Sequence, residues 1–256
     1  EAPTRGGPLM VEPPAWSFNV GVNTDRRQAF SVSPSISYEA EEGDGNNLRI
    51  GTQFSWRPTA AAEISVEPEY VRSHNSAQYV TTVANVGYAP TYGSRYVFSD
   101  LERRELALPI RVNWIFSPTL SLELFAQPLL SSGDFVSYKQ LERASSFDFD
   151  LFEEGSAVSN GSTVSCEGGR TCVLNGRRYI EVDGAGATVS FSDRDFNQRS
   201  LRGSTVLRWE YRPGSTLYLV WQQNRTGREN VGDFAFGRDA EALFEAQPEN
   251  TFMLKI

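Results

Sequence analysis

Phe30-Ser31-Val32-Ser33-Pro34-Ser35-Ile36-Ser37-Tyr38 is the stretch from which the fold can be argued. Every second residue is apolar or aromatic, and every residue between is serine. A β-strand points successive side chains to opposite faces, so this run makes a strand with one greasy face and one wet face. The same alternation spreads outward along the chain. Leu48, Ile50, Phe54 and Trp56 oppose Asn47, Arg49, Gln53 and Ser55. Ile64, Val66 and Tyr70 oppose Glu63, Ser65, Glu67 and Glu69. Leu106 to Phe116, Leu120 to Ala126, Leu201 to Tyr211 and Leu217 to Trp221 repeat it. Several runs are longer than the usual soluble strand and match the roughly 9–11 residues that cross a bilayer at a tilt. A soluble β-sandwich shows the same period, polar outside and apolar inside. Strand length and turn pattern have to separate the two.

The turns fall into two kinds. Trp56-Arg57-Pro58-Thr59, Phe116-Ser117-Pro118-Thr119 and Tyr211-Arg212-Pro213-Gly214 share one plan, and Tyr88-Ala89-Pro90-Thr91 is a fourth candidate. Proline presets φ for a tight turn, and the aromatic before it ends an apolar run where an interfacial girdle lies. The other connections are polar and variable. They include Glu41 to Asn46, the short Ser73-His74-Asn75-Ser76, a very long stretch from Ser132 to Phe196, and Arg225 to Asn250. Short turns at one end and long loops at the other mark an outer-membrane barrel.

The expected fold is therefore all-β: an antiparallel transmembrane β-barrel, or the C-terminal part of one, with short periplasmic Pro turns and long extracellular loops. About eleven strands are expected, starting near Ser17, Gln28, Asn47, Ala61, Ala77, Ser94, Arg104, Thr119, Asn197, Ser215 and Thr251, each of a length that barrels use. One barrel domain spans 1–256, with 1–15 an N-terminal loop segment, 132–196 a long extracellular insertion and 226–250 a further extracellular loop. First and last strands run the same way, which breaks the even-strand rule of complete bacterial barrels. Further strands, or a second chain, are expected to complete the barrel, since open edges in lipid are not viable.

Bulk hydrophobicity alone reads as an ordinary soluble protein, and the aromatic content fits interfacial girdles and a β-sandwich core nearly alike. The 256 residues are 39% hydrophobic and 12% aromatic, with a formal net charge of -8. Mean hydropathy is -0.39, and no apolar run is long enough for a transmembrane helix. A barrel escapes that test because each strand is apolar on one face only. The negative balance argues against nucleic acid as a partner. The only cysteines, in Cys166-Glu167-Gly168-Gly169-Arg170-Thr171-Cys172, read as a small disulfide loop in an oxidising compartment; zinc lacks a second ligand pair.

Candidate functional residues follow from the alternation. Glu63, Glu67, Glu69, Arg111, Glu123, Arg202, Arg208 and Glu210 fall on the polar face and are expected to line the lumen. There they set solute selectivity, as rings of charge do in pores, or serve as structural ion pairs in a plugged interior. Trp56, Trp114, Phe116, Trp209, Tyr211 and Trp221 are the expected interface aromatics. His74 is the single histidine, placed in a polar loop tip, so a Ser–His–Asp site is not expected and the chain is not read as an enzyme. The acidic Glu41 to Asn46 stretch lacks regular calcium-loop spacing and reads as solvated; no metal and no cofactor is expected. Asp148 to Glu154 is acidic and aromatic; it is read first as an exposed loop with a few buried anchors, and otherwise as folding into the barrel mouth or contacting a partner. Asp239 to Ala246 has the composition of a short helix.

Several motifs together resemble a known family. They are Thr4-Arg5-Gly6-Gly7-Pro8-Leu9-Met10, Ala77-Gln78-Tyr79-Val80, Tyr96-Val97-Phe98-Ser99-Asp100-Leu101, Asn113-Trp114-Ile115-Phe116-Ser117-Pro118 and Phe125-Ala126-Gln127-Pro128. The most specific is Asp195-Phe196-Asn197-Gln198-Arg199-Ser200-Leu201-Arg202-Gly203-Ser204, running on to Thr216. The chain resembles an outer-membrane β-barrel domain family of unknown function that usually follows a module similar to family-nine carbohydrate-binding modules. That resemblance implies upstream strands, a periplasmic sugar-binding-like module, and a saccharide as a candidate ligand. The family normally continues past the equivalent of Ile256, so a truncated final strand is expected, and it supplies no catalytic residues to carry over. The disulfide loop is not a family feature.

The expected function is an integral protein in the outer membrane of a Gram-negative-type bacterium, in contact with outer-membrane lipid. It is porin-like or an uptake and binding component for saccharides. The alternatives are a structural or assembly component of a cell-surface complex and a soluble β-sandwich binding module.

Overall fold

The computed structural model describes residues 3–161, 163–182 and 188–256. The chain runs through β1 (Ala15–Gly21), β2 (Phe30–Glu41), β3 (Asn46–Thr59), β4 (Ala62–Val66), β5 (Glu69–Val83), β6 (Arg95–Ala107), β7 (Ile110–Ser117) and β8 (Leu120–Leu141). Six short strands follow: β9 (Phe149–Leu151), β10 (Ser156–Asn160), β11 (Thr163–Glu167), β12 (Thr171–Leu174), β13 (Arg177–Glu181) and β14 (Thr188–Ser192). Then come β15 (Phe196–Arg212), β16 (Ser215–Glu229), helix α1 (Phe236–Glu245) and β17 (Glu249–Lys255).

Twelve strands form one antiparallel sheet. Its long path is an up-and-down meander, because β4 with β5, and β6 with β7, are each one strand interrupted in the middle. β4 and β5 both pair with β3; β6 and β7 both pair with β8. Proline causes both interruptions. Pro68 separates β4 from β5 and Pro109 separates β6 from β7. Proline has no N–H to give a ladder, so pairing breaks there, while its carbonyl still accepts. Pro68 accepts from Thr52 N–H at 3.1 Å, Pro109 from Glu67 N–H at 2.9 Å, Pro128 from Leu108 N–H at 3.0 Å and Pro34 from Val22 N–H at 3.0 Å. The four prolines draw a seam across β2 to β8. The ring of pairing β3–β4–β7–β8–β6–β5 is the sheet on either side of this seam, not a closed barrel. Among the described residues β1 and β17 do not pair with each other.

The connections sort by end. The residue pairs 60–61, 118–119 and 213–214, together with 22–29, join strands at one end; 42–45, 84–94, 142–195 and 230–248 join them at the other. The long connections thus share an end, as expected from the sequence, but several boundaries differ. Residues 132–141 belong to β8, so the insertion starts ten residues later. Ser73 to Ser76 is no loop: these residues lie inside β5, where Ser73 and His74 pair with both β3 and β6, Asn75 pairs with β6 alone, and Ser76 falls in a register shift. The polar run does not end the strand, because β6 pairs with it through Asn75 and again from Gln78. His74 is therefore a mid-strand residue opposite Asn46 and Glu102. The expected strand starts at Ala77 and Arg104 are interior positions of β5 and β6. Tyr88-Ala89-Pro90-Thr91 holds a single 3-10 turn at the long-connection end, with Tyr92 closing it at φ 58°; it is not a member of the short-turn set. Glu41 to Asn46 narrows to a tight turn with Asp44 at φ 65°. The expected helix at Asp239 to Ala246 is α1, beginning three residues earlier.

One packed core exists at the long-connection end. Val80, Val97, Phe135 and Tyr138 of the sheet pack against Phe152, Ile180 and Val182 of the insertion. The insertion folds as a β10–β11 hairpin and a β12–β13–β14 sheet, clipped together by the Cys166–Cys172 disulfide with Cα atoms 5.4 Å apart. Both expected cysteines are thus paired.

Candidate functional site

The register converts sequence alternation into two surfaces. One rung crosses eight strand lengths as directly opposed neighbours: Phe30, Trp56, Ile64, Val112, Leu124, Thr205, Trp221 and Phe252. A second rung runs Ala62, Trp114, Leu122, Leu207, Leu219, Leu254. Apart from Ala62, which is buried, these side chains are at least partly open: Trp56 is 48% exposed, Trp114 43%, Leu254 63% and Phe252 70%. The six expected interface aromatics all lie on this side. Trp114 stacks on Phe116 at 5.1 Å, Trp209 lies 6.0 Å from Tyr211, and Trp221 stacks on Phe252 at 6.3 Å. Five of them cluster towards the short turns, while Trp221 sits further along its strand, within the belt.

The opposite face is polar along the neighbouring rung: Ser31, Ser55, Ser65, Arg111, Phe125, Ser204, Gln222 and Thr251. All eight expected lumen charges are on this face. Most are ion-paired, across strands or, for Arg208 and Glu210, along one strand. Arg111 pairs with Glu67 at 3.0 Å, Arg49 with Glu69 at 2.7 Å, Arg57 with Glu63 at 3.6 Å and Arg208 with Glu210 at 3.5 Å. Gln53 Nε2 donates to Glu67 at 3.2 Å and Ser55 Oγ to Glu63 at 3.0 Å. Arg111 also lies over the Phe125 ring at 5.2 Å. Glu123 and Arg202 join none of these ion pairs among the described residues. The basic halves Arg49 and Arg57 were not singled out from sequence, although their position in the alternation places them there. A cavity of about 610 Å³ on this face includes Ser33, Gln53, Glu67, Glu69, Glu105 and Gln127 in its lining.

The insertion covers the long-connection end of this same face. Arg178, nearly buried, pairs with Glu154 at 2.5 Å and lies 4.6 Å over the Tyr138 ring. Arg170 pairs with Asp150 at 2.8 Å and lies 4.5 Å over Phe152. Lys139 pairs with Asp100 at 2.6 Å. The acidic-aromatic stretch Asp148 to Glu154 is thus the hinge between sheet and cover. Residues 3–14 run along it, with Ser145 N–H donating to the Leu9 carbonyl at 2.7 Å.

Asp195 holds the cover's return to β15. Its carboxylate accepts the Phe135 N–H at 2.8 Å. Burial, with Asp193 and Asp134 nearby, pushes its pKa up from 3.8 to about 6, against the lowering effects of the Phe135 N–H and Arg178. The folded state then holds this proton in a range where the unfolded chain has lost it. Stability conferred at acid pH is lost as pH rises from about 4 through about 6. Asp195→Asn keeps an acceptor for Phe135 and removes the titration. It is expected to flatten the pH dependence of thermal unfolding across that window by about 1 kcal/mol, after allowing for solvent screening. An unchanged slope in the variant would rule this carboxyl out.

No group of three or more His, Cys, Asp or Glu able to hold a metal ion occurs among the described residues. No family model, curated protein or solved structure matches the chain.

Proposed function

We propose that the chain is part of an outer-membrane β-barrel whose polar face lines a hydrated passage, with the 142–195 insertion folded over its outward end. The observation that carries this reading is the exposed apolar rung from Phe30 to Phe252, backed on the other face by paired charge. Water is a poor solvent for an apolar belt of that extent, and exposed patches of a few hundred Å² already mark interaction sites. Lipid is the solvent that matches it. The slant of the short turns supports the same reading. Ile64 follows closely on its turn, Leu124 stands further from Pro118, and Trp221 further still from Pro213, although all three share one rung. Such stagger is what tilted barrel strands require. A saccharide is the proposed solute on the family resemblance alone.

A second reading, an assembly component of a surface complex, is favoured by apolar residues away from the belt. Leu9, Tyr92 and Leu151 are each more than half exposed near the covered end. Conductance separates the two. Full-length protein purified from outer membranes into planar bilayers is expected to give discrete current steps. A silent, correctly inserted protein that co-purifies with a partner would favour the assembly reading instead.

A further inference from the structure

The outer, apolar side of the sheet carries one anomaly. Immediately beyond Tyr70 and Leu106, on the same face, Arg72 and Arg104 stand directly opposite each other on β5 and β6. Both are exposed, and neither makes an ion pair among the described residues. Like charges directly opposed across strands are destabilising. The nearest carboxylate on that face is Glu102, one position further along and opposite His74. Asn46, Arg72, His74, Glu102 and Arg104 line a small cleft of about 190 Å³.

A second, independent feature adjoins the pair. An apolar groove of about 680 Å³ lies on the same face, its lining including Pro34, Ile36, Ile50, Pro68, Tyr70 and Leu106. The proline seam opens it, because Pro34, Thr52 and Pro68 put short side chains between the larger Ile36, Ile50 and Tyr70. Tyr70 and Leu106, which line it, are the same-face neighbours of the two arginines along β5 and β6.

We infer that this groove and arginine pair form a binding site for a phosphate-bearing membrane lipid: an acyl chain lies in the groove, and the phosphate bridges Arg72 and Arg104. Guanidinium groups suit phosphate because their donors match its oxygens in pairs, and the anion removes the repulsion between them. The position fits a lipid rather than a free anion, since the charges sit where the apolar belt stops. The inference rests on the outer-membrane reading above.

The test uses full-length protein extracted from outer membranes into detergent, with the double variant Arg72→Gln/Arg104→Gln alongside. Native mass spectrometry scores retention of dimyristoyl phosphatidic acid, of dimyristoylglycerol with the same chains, and of inorganic phosphate. The natural protein is expected to hold phosphatidic acid about tenfold more tightly than the variant. Dimyristoylglycerol is expected to bind both alike, and millimolar phosphate to leave the lipid in place. Equal retention of phosphatidic acid by both proteins would overturn the site, and displacement by inorganic phosphate would overturn its assignment to lipid. Heat-modifiable gel migration is read on the same samples. A folded barrel without phosphate preference defeats this inference alone, whereas a natural protein lacking such migration defeats the outer-membrane reading with it.

Discussion

Val112→Arg is expected to lose assembly into the outer membrane, or to fold there with about 2–4 kcal/mol less stability, the cost of an arginine on a barrel's lipid face near the bilayer midplane. Val112 sits in the middle of the apolar rung, between Ile64 and Leu124. Its backbone neighbour Asn113 supplies the control. Asn113 lies on the other face between Glu63 and Glu123. Asn113→Arg therefore places the same side chain beside two carboxylates and water, and is expected to change stability by no more than about 0.5 kcal/mol. Urea unfolding in lipid vesicles and heat-modifiable migration report both variants. Equal behaviour of the two substitutions would mean that the rung faces no apolar phase.

Phe152→Ala is expected to detach the cover while leaving the sheet intact. Phe152 is 3% exposed, packs with Tyr138, Ile180 and Val182, and its N–H donates to the Tyr138 carbonyl at 2.8 Å. Truncating a buried phenylalanine costs about 3–5 kcal/mol, from lost transfer energy plus the cavity left behind. This cluster joins the insertion to the sheet through apolar side chains of both. Protease should then cut within 142–195 at native temperature, and current steps in planar bilayers should grow larger. Phe152→Leu refills most of the volume and should cost less than about 1.5 kcal/mol. Unaltered protection of the insertion in Phe152→Ala would show that the cover is held by something other than this core.

The sequence carried the two faces of the sheet in plain form because alternation is local. Which residues of one strand share a face follows from parity alone, and the eight charges fell on one face of the sheet and the six aromatics on the other. The interruption of two long strands at Pro68 and Pro109 was harder to see. Each proline sits at a position whose parity is preserved, so the pattern runs through it unbroken. Ser73 to Ser76 misled for the opposite reason: four polar residues in a row look like a loop, yet the strand runs through them because β6 supplies a ladder before and after the irregularity at Ser76. Within the insertion, alternation is too short to register the strands. The gathering of Phe152, Val80 and Val97 into one core is a long-range packing fact with no local signature. Arg72 and Arg104 carried no signal as a pair, since their opposition depends on a register set by the long β5–β6 connection.

Spin labels placed singly along β2, at Val32 to Ser37 of the full-length protein in lipid vesicles, read directly which face of the sheet meets lipid. Labels at Val32, Pro34 and Ile36 are expected to meet oxygen dissolved in lipid, while labels at Ser33, Ser35 and Ser37 are expected to meet a water-soluble nickel relaxant. Labels on the Val32, Pro34 and Ile36 side that are immobile and reached by neither agent would contradict this, and would make that face the core of a soluble sandwich.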